Sequence, residues 1–306
     1  MLNVTIVGFG NIGRCITSLL LSTSKEALHI NIMDVSTKLT GSLLDFQHAL
    51  QLYPQHSMSY NDQHKMNESN FVFHCAGASV PKGKSRLDTC EQSMQITENV
   101  FTNYKPSLLP FIIIVSNPVD VISHITQKIT NLPVERIIGT GTLLDSLRMN
   151  FTLKHHFPNA KNINSVLLGE HGKSVFVSQH LSKVDSISLE DIIEKEQLNE
   201  CLTEVKNSAQ EIKDTQGATI YGVSHAACEI YNALQKEEKT QLPVSTKVPQ
   251  EWVNEHNLNT IYLSCPCELS QEGVQLIADY KPTSSELIQY LNTVRMLGEY
   301  IPEKYS

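Results

Sequence analysis

The sequence predicts an α/β fold, a doubly wound parallel sheet followed by an α+β domain, and three observations carry that expectation. Short apolar runs alternate with stretches of helical periodicity through the first half, the pattern of parallel strands joined by crossover helices. The first run, at residues 2–7, leads straight into a Gly-x-Gly-x-x-Gly segment. Beyond residue 141 the pattern changes to longer helices and fewer, shorter strands. A chain of 306 residues suits two packed units, because single cores stop growing at roughly 250–300 residues. The division is expected between 1–141 and 142–306.

Taken in order, residues 2–7 read as a buried strand, and Ile12, Ile16, Leu19 and Leu20 as one face of a helix. Residues 30–33, 71–75 and 111–115 are further strands, short, rich in branched or aromatic side chains and followed by polar or glycine positions. Leu39, Leu43, Phe46 and Leu50 repeat at helical spacing between the first two of these. In the second half, Leu198, Leu202, Val205, Ala209 and Ile212 form one apolar stripe, and Leu287, Leu291, Val294 and Leu297 another. Both stripes are expected to pack on a smaller sheet. No repeat, low-complexity tract or Pro/Gly/Ser linker separates the lobes, which predicts a tight junction with a cleft between them.

Composition narrows the function. The chain is 41% hydrophobic and 18% charged, ordinary for a folded protein. Its 24 basic and 32 acidic residues give a net charge of -8 with no basic stripe, which argues against nucleic-acid or membrane-surface partners. The start lacks a basic signal region and no apolar stretch approaches the roughly 18 residues of a span, so a cytoplasmic location is expected. Cysteines 15, 75, 90, 201, 228, 265 and 267 are scattered, and Cys265-Pro-Cys267 lacks metal or redox spacing. They are expected to be reduced packing residues, with no metal site.

Gly8-Phe9-Gly10-Asn11-Ile12-Gly13 sits between a strand and a helix, the context a dinucleotide-binding motif requires. Gly8 permits the tight turn, Gly10 lets the backbone approach a pyrophosphate, Gly13 lets helix and strand pack closely, and Asn11 and Ile12 lie in the first helical turn. A plain strand-to-helix turn is the alternative. Asp34, which ends the next strand 21 residues beyond Gly13, argues for the ligand, since its carboxylate can accept both ribose hydroxyls. It would repel a 2'-phosphate, and no arginine follows closely, so NAD is favoured over NADP, with Lys38 the one nearby cation. The first domain is thus expected to be of Rossmann type.

Four further segments end apolar runs with polar residues: Gly83-Lys84-Ser85-Arg86-Leu87-Asp88, Ser116-Asn117-Pro118-Val119-Asp120, Leu144-Asp145-Ser146-Leu147-Arg148 and Gly169-Glu170-His171-Gly172. With the glycine motif, and collinearly to Tyr262-Leu263-Ser264-Cys265-Pro266, they resemble the lactate/malate dehydrogenase family, nearest its L-lactate and L-2-hydroxy-acid members. The resemblance implies an NAD-dependent enzyme interconverting a 2-oxo acid and its L-2-hydroxy acid, in a homodimer or homotetramer. His171 is then the acid/base, with an ordinary surface histidine as the alternative. Asp145 is its partner, or else a helix cap, and Arg148, three residues on, is the carboxylate clamp, or else a structural ion pair. Arg86, in the irregular stretch 77–86, resembles the family's mobile loop arginine, which polarises the carbonyl; otherwise it is a solvated loop charge. By the same resemblance Asn117 bonds substrate or nicotinamide, Thr140 the carboxamide, Thr219 lines the substrate pocket, and Ala76 and Gly77 join the cofactor set. The Asn117–Pro118 bond is expected to be cis.

Departures from the family pattern are also present. Lys84, Ser93 and Gln216 stand where an acidic residue, an asparagine and a lysine are common. Val80 occupies the specificity position, where lactate enzymes carry glutamine and malate enzymes arginine. Valine gives a second carboxylate no partner, so pyruvate or bulkier aliphatic 2-oxo monocarboxylates are expected ahead of oxaloacetate. A loop shifted by two residues would instead bring Lys82 to the site. Asn150 and Asn164 align with the arginine and histidine that bind fructose 1,6-bisphosphate in some bacterial relatives, so no such activation is expected. A malate dehydrogenase is the alternative within the enzyme class, and a catalytically silent NAD-binding protein the alternative outside it.

Overall fold

The computed structural model describes residues 1–78, 87–256 and 258–305. The first half runs β1 (Leu2–Val7), α1 (Asn11–Thr23), β2 (Leu28–Met33), α2 (Thr40–Ala49), β3 (Ser57–Tyr60), α3 (Gln63–Asn67), β4 (Phe71–His74), α4 (Cys90–Phe101), β5 (Phe111–Ile114), α5 (Val119–Thr130) and β6 (Ile137–Gly139). The second runs α6 (Leu143–His156), β7 (Ile163–Asn164), β8 (Leu167–Leu168), β9 (Phe176–Val177), β10 (Lys183–Val184), β11 (Ile187–Ser188), α7 (Lys195–Gln216), α8 (Tyr221–Ala233), β12 (Thr240–Lys247), β13 (Tyr262–Ser270), β14 (Gly273–Leu276) and α9 (Ser284–Gly298).

Among the described residues the main sheet has nine strands in the order β14-β13-β12-β6-β5-β4-β1-β2-β3. Strands β1 to β6 are mutually parallel. Helices cover both faces of such a sheet, so its strands are apolar throughout rather than alternating: Val4, Ile6, Ile30, Ile32, Val72, Phe73 and Ile112 are fully buried. The order in which successive strands join the sheet reverses between β1 and β4, and a crevice opens there at the carboxyl ends of the strands.

Two strands of this half lack an apolar run long enough to be legible. β6 is only Ile137–Gly139, and β3 is Ser-Met-Ser-Tyr at the sheet edge. β3 is tied in by polar side chains instead, the His29 ring contacting Ser57 Oγ at 2.8 Å and Ser59 Oγ at 2.9 Å. The 39–50 stripe is a ten-residue α2 between two 3-10 turns, and the first of these begins where the Ser36 hydroxyl accepts the Lys38 N–H. No residue of α2 is buried.

The second half corrects the expectation of a separate small sheet carrying both helical stripes. β12, β13 and β14 extend the main sheet antiparallel, joined through Ser245 opposite Gly139. Among the described residues only the pair β8-β9 and the trio β11-β10-β7 stand apart. α7 buries Leu198, Cys201 and Val205 in a smaller core with Met149, Leu153 and Val184, whereas Leu291, Val294 and Leu297 of α9 belong to the principal core. The Tyr290 hydroxyl of α9 donates to the Ser264 carbonyl of β13 at 3.0 Å. α8 reaches back to the first half, setting Tyr231 against Phe71 with ring centres 4.7 Å apart.

All seven cysteines are unpaired, and Cys90, Cys201, Cys228, Cys265 and Cys267 are buried as packing groups. No described helix is long and apolar enough to cross a membrane.

Candidate active site

Two cavities share the carboxyl edge of the sheet. One, of about 1040 Å³, is lined by Gly8, Gly10, Asp34, Ala76, Gly77 and Tyr60 among others. Gly8 has φ +90°, and a Cβ there would stand 2.6 Å from the Ala76 nitrogen, so only glycine lets β1 and β4 deliver their ends this close. α1 starts at Gly10 with no side-chain cap, which leaves first-turn N–H groups for an anionic ligand. Asn11 is exposed and Ile12 half-buried in that turn.

Asp34 is more built-in than its spacing suggested. Its Oδ2 accepts the Phe9 N–H at 2.6 Å and its Oδ1 the Ser36 N–H at 2.8 Å, so it ties the glycine loop to the end of β2. Each oxygen keeps a lone pair for a ribose hydroxyl. Asn61 holds the Asp34 backbone from both sides: its Oδ1 accepts the Asp34 N–H and its Nδ2 donates to the Asp34 carbonyl, each at 2.9 Å. Sequence reasoning missed Asn61; its one signal is that asparagine tolerates the left-handed conformation found there, φ 51°. A backbone cradle, uncapped amides and a ribose-side carboxylate fit a dinucleotide.

The second cavity, of about 770 Å³, contains Asp145, Arg148 and His171. Asp145 and Arg148 project from one face of α6, and Arg148 Nη1 donates to Asp145 Oδ1 at 3.1 Å. His171 Nδ1 meets Asp145 Oδ2 at 2.6 Å, with both side chains less than a tenth exposed. One carboxylate therefore holds both the imidazole and the guanidinium. The turn carrying His171 starts at Gly169, φ +88°, whose N–H and carbonyl pair with Ser264 of β13. The His171 N–H donates to Asp120 Oδ2 at 3.0 Å, and the Ser245 hydroxyl to Asp120 Oδ1 at 2.6 Å. Burial pushes the Asp120 carboxyl up to about 7, against the opposing pull of those two hydrogen bonds. Asp120 and Ser245 were not singled out from sequence, since 125 residues separate them.

The Asn117–Pro118 peptide is cis, as the resemblance implied. Asn117 Oδ1 is buried and finds no partner among the described residues, while Pro118 and Val119 line the second cavity. Thr140 is buried just beyond β6, its N–H on the Ile114 carbonyl at 2.9 Å, and lines neither cavity. Thr219, half-buried between α7 and α8, lines neither as well. Val80 and Arg86, with Lys82 and Lys84, lie outside the described residues.

Residues 2–139 match the lactate/malate dehydrogenase NAD binding domain, and residues 142–301 the alpha/beta C-terminal domain of the same family. The chain belongs to the lactate/malate dehydrogenase family. It is thereby an NAD-dependent oxidoreductase with a Rossmann-type sheet. An L-lactate dehydrogenase of Clostridium botulinum (strain Loch Maree / Type A3) is 30% identical over 309 residues, covering 95% of this chain and 94% of its own. A lactate dehydrogenase from a Medee basin deep-sea metagenome library superposes with a TM-score of 0.86 at 26% identity, over 98% of both chains. The malate dehydrogenase of Aeropyrum pernix gives the same TM-score at 25% identity, over 99% of both.

Proposed function

We propose that the chain interconverts a 2-oxo monocarboxylic acid, pyruvate or a bulkier aliphatic analogue, with its L-2-hydroxy acid. The observation that carries this is the single carboxylate of Asp145 bonded to both His171 and Arg148 inside one cavity. By accepting the Nδ1 proton, Asp145 fixes the imidazole tautomer and stabilises the imidazolium, so Nε2 is the atom that hands a proton to the carbonyl oxygen and takes it back from the alcohol. Its other oxygen holds Arg148 at a fixed angle, and the planar guanidinium grips the substrate carboxylate through two parallel bonds. Asn117 supplies its buried amide oxygen to substrate or nicotinamide. The family resemblance assigns Arg86 to the carbonyl and Val80 and Thr219 to the substrate's side chain, with Thr219 outside the cavity in this structure.

NAD, when bound, accepts or supplies the hydride at the carbon bearing the oxygen. Gly8, Gly10, Asn11, Ile12, Gly13, Asp34, Ala76 and Gly77 hold it, the family resemblance assigns Thr140 to the carboxamide although it lies outside both cavities in this structure, and residues 1–141 form the cofactor domain while 142–306 supply the acid/base and clamp. The enzyme works in the cytoplasm, to which its unpaired thiols are suited. It forms a homodimer or homotetramer, and the unburied α2, with Leu44 51% exposed, provides an apolar face for a second copy. Fructose 1,6-bisphosphate is not an activator, because Asn150 and Asn164 are neutral and Asn150 Oδ1 is already taken by the Ser165 N–H at 2.7 Å.

Malate dehydrogenase is the second reading, favoured by the equal TM-score of the Aeropyrum pernix enzyme. NADH oxidation with pyruvate, 2-oxobutyrate, branched 2-oxo acids and oxaloacetate separates the two. The monocarboxylates are expected to lead, and Val80→Arg to raise kcat/KM for oxaloacetate relative to pyruvate. A preference of the unmodified enzyme for oxaloacetate would overturn the monocarboxylate assignment and point to Lys82.

A further inference from the structure

Helix α7 changes character at Val205. Up to that residue it buries Leu198, Cys201 and Val205, and beyond it no residue of the helix is buried. The following turns face the catalytic cavity: Lys206, Ala209, Gln210 and Lys213 line the same space as Asp145, Arg148 and His171. Positions 206, 210 and 213 recur at helical spacing, so their polar side chains share one edge of the helix, with apolar Val205 and Ala209 beside them. Val175 from the catalytic turn and Met296 and Leu297 from α9 add apolar wall.

Lys206 carries an unusual burden for a cavity residue. It makes no ion pair with any described residue. Its ammonium is held below the usual lysine range chiefly by burial, with Glu170 the one charged group acting in the opposite sense. Of the carboxylates that line the cavity with Asp88, Asp145 has Arg148 and His171, Asp120 has Ser245 and the His171 backbone, and Glu170 accepts the Ser174 hydroxyl at 2.7 Å. Lys206 is nonetheless exposed where it lines the cavity, so an entering anion can reach it. The cavity, at about 770 Å³, also falls within the roughly 300–1,000 Å³ range of sites for drug-sized ligands, more than a three-carbon acid fills.

We propose that this edge of α7 is a specificity wall, on which Lys206 receives a carboxylate at the distal end of a longer 2-oxo acid. The proposal rests on the acid/base and clamp roles assigned above and adds to the aliphatic monocarboxylates a second substrate class, five- and six-carbon 2-oxo acids whose terminal carboxylate lies farther from the carbonyl than that of oxaloacetate. The reacting end is unchanged, with His171 giving the proton and Arg148 holding the first carboxylate. The second carboxylate takes no part in bond making or breaking. In oxaloacetate that group lies one methylene from the carbonyl; each added methylene carries it farther along the apolar wall of Val205 and Ala209, toward the Lys206 ammonium.

The test uses the holoenzyme, NADH and two six-carbon acids that differ only at the far end, 2-oxohexanoate with a methyl and 2-oxoadipate with a carboxylate. A charge-assisted contact predicts kcat/KM about tenfold higher for 2-oxoadipate, carried by KM rather than kcat. Lys206→Met should bring that ratio to about one, and Lys206→Arg should preserve it. A ratio at or below one in the unmodified enzyme overturns the proposal, as does a ratio that survives Lys206→Met. If pyruvate and 2-oxohexanoate turn over without any 2-oxoadipate advantage, the distal site alone is wrong. If no 2-oxo acid is reduced, the dehydrogenase assignment fails and takes the distal site with it.

Discussion

The two cavities are built in opposite ways. The cofactor cavity is made largely of backbone and short-range sequence: a strand, a glycine turn, a helix start and one carboxylate at the end of the next strand. The catalytic cavity is made of side chains brought together from distant segments, with α6 giving Asp145 and Arg148, the 169–172 turn giving His171, α5 giving Asp120 and β12 giving Ser245. A backbone site tolerates change in most side chains but none in the positions where a Cβ cannot fit. A side-chain site depends on each donor and acceptor, and on the supports behind them.

Changes at single atoms should separate the two. Gly8→Ala is expected to have the larger effect on the fold, because the new Cβ would press on the Ala76 backbone in a conformation that L side chains avoid. The cost should be about 1–3 kcal/mol of stability together with weakened NADH binding, measured by denaturant unfolding and fluorescence titration. A Gly8→Ala protein with unchanged stability and NADH affinity would show that the cradle does not need its glycine.

Asp120→Asn should act more gently and through pH. The carboxyl is raised from 3.8 to about 7 in the folded state. A raised group contributes stability that is fully present below its unfolded pKa and is lost as pH rises through the folded value, here between about pH 4 and 7. The unmodified protein should therefore lose stability relative to Asp120→Asn across that window, by at most about 1.4 kcal/mol per pH unit. Parallel stability–pH curves for the two proteins would mean that Asp120 is ionised throughout.

Legibility in the sequence followed the same division. The glycine motif, Asp34 and the parallel strands were readable because each is a local pattern with one physical purpose. Asp145 and Arg148 were readable as a pair because three residues along a helix is one face. What could not be read depended on tertiary contacts. β3 is held by His29 rather than by apolar burial, and Asn61 acts on Asp34 from 27 residues away. Asp120 meets Ser245 only because β12 joins the sheet beside β6. The stripe on α7 was read as core along its whole length, yet Ile212 is 36% exposed and the turns after Val205 face a cavity. Apolar periodicity reports which face is covered, not whether protein or ligand covers it.

The most direct test of the account concerns the one carboxylate that serves two partners. Asp145→Asn should lower kcat, through a mis-set imidazole, and raise KM for pyruvate, through a loosened Arg148, with kcat/KM falling by about 10³-fold or more. NADH affinity, measured by fluorescence titration on the same sample, should not change. A variant that loses kcat at unaltered KM, or loses NADH binding along with turnover, would contradict the claim that Asp145 couples acid/base and clamp within a site built independently of the cofactor cradle.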